Sequence, residues 1–126
     1  MIHLDTNYLI RLLIANSSEA VAVDRWLLLS QPLAASAIVW SEFLNGPVKP
    51  AEVNYVESVL ESRIIVFSKP EAILASDLFN KTGRRRGSRF DCLIWATAIL
   101  NQAELATANE SDFKPFVPFG LKLAKK

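Results

Sequence analysis

Four acidic residues of this chain border strongly apolar stretches, where an unpaired carboxylate is costly to bury. These four acids are Asp5, Glu42, Asp91 and Asp112. Removing a lone carboxylate from water costs several kcal/mol, so such groups are usually paired, protonated or bound to a cation. Too few lysine and arginine residues lie beside the four acids to pair all of them. The pattern predicts a site for a divalent cation, and therefore chemistry on phosphate groups.

Metal binding would give the four acids a shared chemical role. Hard cations such as Mg²⁺ and Mn²⁺ are held by carboxylate oxygens, retained waters and substrate phosphate. A bound metal ion lowers the pKa of a water ligand and stabilises charge at the attacked phosphorus. Because the metal would activate the water, no side chain is needed as a general base. His3, the only histidine, is therefore expected to have no direct role.

Each of the four acids also has a purely structural interpretation. Asp5 and Asp91 stand where they could cap the helices that follow them. Asp112 could be an ordinary turn residue. Glu42 is harder to explain in this way, because its neighbour Phe43 and the surrounding apolar residues indicate burial. The sequence alone leaves these alternatives open.

A basic segment, residues 81–89, leads directly to Asp91 and contains no acidic residue. Its candidate phosphate-binding residues are Arg84, Arg85, Arg86 and Arg89. The planar guanidinium group can donate two parallel hydrogen bonds to phosphate oxygens. We predict that these arginines bind the phosphate backbone of a nucleic acid; a solvated loop is the alternative interpretation.

Length and composition favour one domain over residues 1–126. The chain is long enough for a sizeable core, and 51% of its residues are hydrophobic, with three Trp and seven Phe. We expect part of this apolar excess, with Trp26 and Trp40, to face a partner. The net charge of +1 gives no overall indication of a nucleic-acid binder.

Cysteine usage and hydropathy favour a soluble, cytoplasmic protein. Cys92 is the only cysteine, which excludes an internal disulfide and a cysteine-rich zinc site. The N-terminus starts directly with a strand-like run and not with a signal peptide. No uninterrupted apolar run of about 20 residues is present, which argues against a membrane span.

Short apolar strands alternate with helices along the chain. Strands are expected at residues 1–4, 33–37, 64–67 and 105–107, and the tail from 116 could add an edge strand. Helices are expected at residues 8–16, 17–29, 38–45, from 50 onward, 70–81 and 90–101. The last helix is so apolar that it should be deeply buried. This alternation predicts an α/β fold with a parallel sheet covered on both faces.

Parallel topology offers a way to bring the four acids together. In open α/β sheets the functional crevice lies beyond the carboxyl ends of the strands. Asp5 and Asp112 follow predicted strands, whereas Glu42 and Asp91 lie on or at the start of helices that would aim them at the same crevice. The other acids considered are expected on exposed faces and are not candidates: Glu19, Glu52, Glu57 and Asp77.

Four segments, in this order, resemble the acidic motifs of PIN-domain ribonucleases. In size and motif order the chain is most similar to the VapC-type toxins of bacterial toxin–antitoxin pairs. The segments are residues 2–7 (IHLDTN), 41–43 (SEF), 91–98 (DCLIWATA) and 107–113 (TANESDF). The resemblance implies a three-layer α/β/α sandwich with a central parallel sheet. It also implies Mg²⁺- or Mn²⁺-dependent endonucleolytic cleavage of RNA.

The resemblance assigns roles to individual acids. Asp5, Glu42 and Asp91 match the three firmest acidic positions of the family. Asp112 matches a fourth position, whose acid could instead occupy the place of Asn109.

The resemblance extends to neighbouring residues and to partners. Beside the acids, Thr6 and Asn7 are expected to shape the turn, and Thr107 and Asn109 are expected to hold the acids through hydrogen bonds. Plain turn residues are the alternative interpretation of all four. The implied partners are an RNA substrate, a cognate antitoxin and a second copy in a homodimer. Residues 46–64 form a shorter segment than such toxins have, so the helical pair there is expected to be trimmed.

Two other functions compete with a nuclease. A PIN-like module with an inactive metal site would bind RNA or a protein without cutting. An apolar strand ending in Asp also begins the haloacid-dehalogenase-type phosphatases, where that Asp is the nucleophile. Those enzymes need a second acid two residues later, and this chain has Asn7 there. A receiver domain would need an early acidic pair and a mid-chain phosphoacceptor that the sequence does not supply.

Overall fold

A computed structural model describes every residue from Met1 to Lys126. At its centre is a five-stranded sheet with the strand order β3-β2-β1-β4-β5, and every neighbouring pair is parallel. The strands are β1 (Ile2–Leu4), β2 (Leu33–Ser36), β3 (Ile64–Ile65), β4 (Glu104–Ala106) and β5 (Lys122–Leu123). The edge strand predicted in the C-terminal tail is β5, which pairs with β4.

Helices connect the strands and flank the sheet, which gives the predicted α/β/α sandwich. The α-helices are α1 (Thr6–Arg11), α2 (Ser18–Leu28), α3 (Ala37–Leu44), α4 (Pro50–Val59), α5 (Lys69–Lys81), α6 (Arg89–Leu100) and α7 (Glu110–Phe113). Two 3₁₀ segments, Arg86–Ser88 and Lys114–Phe119, precede α6 and follow α7. The sequence-based prediction of the fold class is confirmed.

The register between β1 and β4 places the carboxyl ends of these two strands side by side. Leu4 at the end of β1 pairs with Ala106 at the end of β4. The Asp5 N–H continues this ladder by donating to the Ala106 carbonyl at 2.9 Å. As a result, Asp5 and Thr107 leave the sheet side by side.

Side-chain caps begin the early helices where the strands end. Asp5 accepts a hydrogen bond from the Thr6 N–H at 2.8 Å and caps α1. Ser36, the last residue of β2, accepts from the Val39 N–H at 3.1 Å and caps α3. These caps replace hydrogen bonds that the first turn of a helix lacks. They fix where α1 and α3 leave the carboxyl edge of the sheet.

Helix α6 is the most deeply buried helix, as its apolar sequence predicts. Its buried residues include Cys92 and a continuous run at 94–98. The Trp95 ring lies 3.7 Å from the Phe116 ring, centroid to centroid. Because α6 is anchored over its length, its first turn, which carries Asp91, is held in a fixed position relative to the sheet.

The two tryptophans expected to face partners differ in burial. Trp26 is only 4% exposed and stacks on Tyr8, with ring centroids 5.8 Å apart. The prediction that Trp26 serves a partner surface is therefore wrong, because its ring fills the core. Trp40 is half-buried and packs against Phe43.

Several predicted boundaries need correction. Helix α1 ends at Arg11 and not at Asn16, and turns follow it. Strand β3 has two residues, and β4 ends one residue before Thr107. Asp112 lies in the short helix α7, which is not among the predicted helices. The segment after Gly46 contains the single helix α4, consistent with a trimmed helical pair.

Glu19 is a further correction, because it is buried and not exposed. Its side chain accepts from the Ser18 hydroxyl at 2.7 Å and pairs with Lys126 at 3.2 Å and Arg11 at 3.6 Å. The Ser18 hydrogen bond, together with Lys126, lowers the pKa of Glu19. The carboxylate thus ties α2 to the C-terminal residue.

None of the helices combines the length and apolar character that crossing a membrane requires.

Candidate active site

The four acids meet at the carboxyl edge of the sheet. Asp5 directly follows β1, Glu42 lies on α3, Asp91 lies in the first turn of α6 and Asp112 lies on α7. Burial raises the pKa of Asp91 to about 6, and the charges of the other three acids add to that rise. Since charges act on a pKa only over short distances in a protein, the four acids share one electrostatic neighbourhood.

Asp5 is the best anchored of the four. It is 6% exposed, and both of its carboxylate oxygens accept hydrogen bonds. Oδ1 accepts from the Thr6 N–H and Oδ2 accepts from the Thr107 hydroxyl, each at 2.8 Å. Burial raises the pKa of Asp5, whereas these two hydrogen bonds oppose the rise. Capping of α1 and membership of the acidic site are therefore compatible roles for one carboxylate.

Thr6 links Asp5 to Glu42. While its N–H donates to Asp5, its hydroxyl donates to Glu42 Oε1 at 2.9 Å. Glu42 is half-buried. One threonine thus orients two acids that lie 37 positions apart in the chain, as expected of a residue that holds acids through hydrogen bonds.

Asp91 and Asp112 both line a polar cleft of about 310 Å³. The other residues that line it are Arg85, Gly87 and Ser88, and none of the lining residues is hydrophobic. Asp91 is half-buried and Asp112 is exposed. None of the chain's ion pairs involves any of the four acids. Their negative charge is therefore uncompensated by the protein, apart from the nearby guanidinium of Arg85.

The polar residues after β4 support the site from one side. Thr107 accepts from the Asn109 N–H at 3.1 Å while it donates to Asp5. Asn7 Oδ1 accepts from the Ala108 N–H at 3.1 Å. Between the two candidates for the fourth acidic position, Asp112 lines the cleft and Asn109 precedes α7 with an exposed side chain.

The four arginines of the basic segment lie in different places. Arg85 lines the acidic cleft. Arg84 and Arg89 instead lie over the Phe79 ring, with Cζ 5.4 and 5.6 Å from the ring centroid. Arg84 also hydrogen-bonds to Asn80, and Arg86 is exposed without a charged partner.

His3 has no place in this site. It is 2% exposed within β1, and neither ring nitrogen has a hydrogen-bond partner. Burial lowers the pKa of His3 to about 4. The imidazole is therefore neutral and enclosed at neutral pH, so it is not available as a general base.

The donor chemistry of the site fits Mg²⁺ or Mn²⁺. All four candidate ligands supply carboxylate oxygen, which these cations prefer. No three acidic, histidine or cysteine side chains stand in the arrangement of a ready-made metal site. Mg²⁺ does not require one, because it commonly keeps several waters and binds through one or two carboxylates plus phosphate.

Sequence reasoning missed Ser88 and Gly87 as cleft residues. Ser88 is 5% exposed, and its N–H and hydroxyl both donate to the Arg85 carbonyl, at 2.9 and 2.8 Å. A usable signal was present, because Ser88 stands three positions before Asp91. That spacing places both residues on one side of a helical turn.

Comparisons with solved structures give the same architecture in bacterial protein complexes. A toxin–antitoxin complex from Klebsiella pneumoniae contains a chain 29% identical to this one, with a TM-score of 0.72 over 90% of this chain and 91% of that chain. The VapBC2 complex from Rickettsia felis, bound to a promoter DNA fragment, matches at 27% identity and a TM-score of 0.67 over 98% of each chain.

A third structure shows the fold alone. FitAcB from Neisseria gonorrhoeae is 22% identical, with a TM-score of 0.71 over 99% of this chain and 97% of that chain. No curated protein matches the chain at the level of sequence. The family model of the PIN domain matches residues 2–115, a range that contains all four acids. The chain therefore belongs to the PIN domain family.

Proposed function

We propose that this protein is a divalent-metal-dependent endoribonuclease and the toxin of a toxin–antitoxin pair. One observation carries the proposal: four acids from separate elements meet at one edge of the sheet without an ion-pair partner. Burial, with the charges of the other three acids added to it, raises the pKa of Asp91 to about 6. An arrangement that is costly without a cation is typical of a metal-dependent site. Membership of the PIN domain family supports a nuclease.

In this proposal, the acids of the site and the polar residues beside them have different roles. Asp5, Glu42, Asp91 and Asp112 would hold Mg²⁺ or Mn²⁺. When bound, the ion would supply an activated water and charge stabilisation at phosphorus. Thr6 and Thr107 orient Asp5 through its two oxygens. Asn7 holds the chain after β4 against the start of α1 by accepting from the Ala108 N–H. The Asn109 N–H donates to the Thr107 hydroxyl and so helps to fix the residue that orients Asp5.

The proposed partners are a cognate antitoxin, a second copy of the chain and an RNA substrate. Support for the antitoxin comes from the structural neighbours, which are toxin–antitoxin complexes. Exposed apolar side chains near the end of α2 suit a protein partner, since Leu28 is 86% and Leu29 is 63% exposed. We treat residues 1–126 as one domain, and cleavage of cellular RNA would place its action in the cytoplasm.

The experiment compares RNA cleavage by the wild type and by variants of the four acids. Purified protein is incubated with a structured RNA in Mg²⁺, Mn²⁺ or EDTA. We expect cleavage in either metal and none in EDTA, and a loss of at least about 100-fold in Asp5→Asn and in Asp91→Asn. Asp77→Asn is the matched control, because Asp77 is an exposed acid paired with Lys81; it should cleave like the wild type.

Each alternative function predicts a different result. RNA binding without cleavage in both metals would identify an inactive module. Release of inorganic phosphate from small esters without RNA cleavage would favour a phosphatase. Equal cleavage by Asp5→Asn, Asp91→Asn and Asp77→Asn would show that the four acids are not the active site.

A further inference from the structure

We propose that Arg85, alone among the arginines of the basic segment, binds the phosphate group that is being cleaved. This inference rests on the proposed function, since it names a substrate contact within the same site. Of the four arginines that the sequence singles out, only Arg85 would then contact the phosphate at which cleavage takes place.

Arg85 is the only cation that lines the cleft shared by Asp91 and Asp112. Its guanidinium makes no ion pair, and its side chain is exposed. A guanidinium without a protein partner keeps its donors free for a planar, two-point contact with phosphate oxygens. Its positive charge also acts on the site, since it opposes the rise in the pKa of Asp91.

The other arginines have different tasks. Arg84 and Arg89 each make a cation–π contact with the Phe79 ring, and these contacts tie the basic segment to α5. Their guanidinium groups are committed there and do not line the acidic cleft. Arg86 is free, but it does not line the cleft either.

The backbone on both sides of Arg85 is fixed. Helix α5 is followed by Gly83 in the left-handed region, at φ 91°, and the Arg84 N–H donates to the Phe79 carbonyl at 2.9 Å. This is the helix-ending arrangement that favours glycine. On the other side, Ser88 donates twice to the Arg85 carbonyl. Arg85 is therefore presented from a short, anchored loop, which lowers the entropy cost of using its side chain.

The positive charge of Arg85 would favour the approach of a phosphate to the acidic cleft. A substrate phosphate is negative, and it must approach four acids that already repel one another. A cation at the rim offsets part of that repulsion, and it stabilises the additional charge that develops as the phosphodiester is attacked. The contact strengthens in the transition state, so its loss should lower kcat more than it raises KM.

The test compares Arg85→Ala with Arg86→Ala in steady-state cleavage of a single-stranded RNA in Mn²⁺. The two substitutions remove the same charge from adjacent positions of one loop, so they differ only in access to the cleft. We expect Arg85→Ala to lower kcat by about tenfold or more, and Arg86→Ala to change it less than about threefold. Arg85→Lys, which keeps the charge but loses the planar fork, should fall between them.

A second measurement separates phosphate binding from loss of structure. Arg85→Ala should still be stabilised by Mn²⁺, and its thermal midpoint in EDTA should lie within about 3 °C of the wild type, because the lost guanidinium is exposed and offsets the acids only weakly. Equal kcat values for Arg85→Ala and Arg86→Ala, with an active wild type, would overturn the role of Arg85 and leave the proposed function intact. A wild type inactive on RNA in both metals would overturn the proposed function and the role of Arg85 together.

Discussion

At the residue scale, burial and mutual repulsion set the chemistry of the four acids. Asp5 is enclosed but fully hydrogen-bonded, Asp91 is half-buried among like charges, and Asp112 is exposed. The three aspartates of the site thus lie in three different environments. Burial and the charges of the other three acids raise the pKa of Asp91 to about 6. Removal of this carboxylate should therefore stabilise the protein when no cation is present.

Asp91→Asn should raise the thermal midpoint in EDTA at pH 7 while it abolishes cleavage. The folded pKa of Asp91 is about 6, above the ordinary value of 3.8. As the pH rises from 3.8 towards 6, Asp91 releases its proton in the unfolded chain before it does so in the folded protein. The free energy of unfolding therefore decreases over this pH range. Asparagine carries no such charge, and after a discount for partial exposure we expect a gain of roughly 3 °C.

The pH dependence supplies the control for this prediction. Below pH 3.8 the aspartic acid is protonated in both states, so the difference in midpoint between the variant and the wild type should vanish. His3, whose folded pKa is lowered to about 4, destabilises both proteins equally on acidification and cancels in the comparison. A difference that is independent of pH would show that Asp91 bears no electrostatic cost.

Single residues also show what the sequence could and could not reveal. Acids beside apolar runs signalled the site, because burial of a carboxylate is costly wherever it occurs. The division among the arginines was not predictable, since it depends on Phe79, which presents its ring to Arg84 and Arg89 only after α5 and α6 have packed. The burial of Glu19 depends in the same way on Lys126, which is distant in sequence.

At the scale of elements, local signals predicted where most helices begin. Ser17 caps α2, and Pro70 stands in the first turn of α5. Ser36, which caps α3, was instead expected within the strand at 33–37. Helix α6 was predictable from its apolar run. The end of α1 and the presence of α7 were not, because both are short and depend on packing more than on intrinsic preference.

The turn after β4 gives a prediction at the element scale. Thr107→Val should remove the hydroxyl that donates to Asp5 and accepts from the Asn109 N–H. Because Thr107 is 5% exposed, we expect a loss of about 1–3 kcal/mol in the free energy of unfolding. Cleavage should also fall, since Asp5 loses a donor that orients it. Urea denaturation and RNA cleavage assays measure the two effects.

Thr97→Val is the matched control for this substitution. Thr97 is a buried threonine of α6 whose hydroxyl donates to the Leu93 carbonyl at 3.1 Å. Its replacement should leave cleavage per folded molecule unchanged. If Thr107→Val also cleaved at the wild-type rate, Thr107 would be a structural residue only and the orientation of Asp5 would not depend on it.

At the scale of the whole molecule, the parallel sheet explains how distant residues form one site. Residues 5 and 107 meet because β1 and β4 are neighbours in register, and the acids on α3, α6 and α7 join them at the same edge. The fold follows from alternating strands and helices, which the sequence displays plainly. Which side chains face one another follows from strand order, and the sequence alone does not specify that order.

Thermal unfolding with and without Mn²⁺ tests most directly whether the four acids form one cation site. Wild type, Asp77→Asn and the double variant Asp5→Asn/Asp91→Asn are each melted in EDTA and at saturating Mn²⁺. A cation bound only to the folded state should raise the midpoint by about 5 °C or more in wild type and Asp77→Asn, and by far less in the double variant. An equal response of all three proteins to Mn²⁺, or no response by any, would contradict the account.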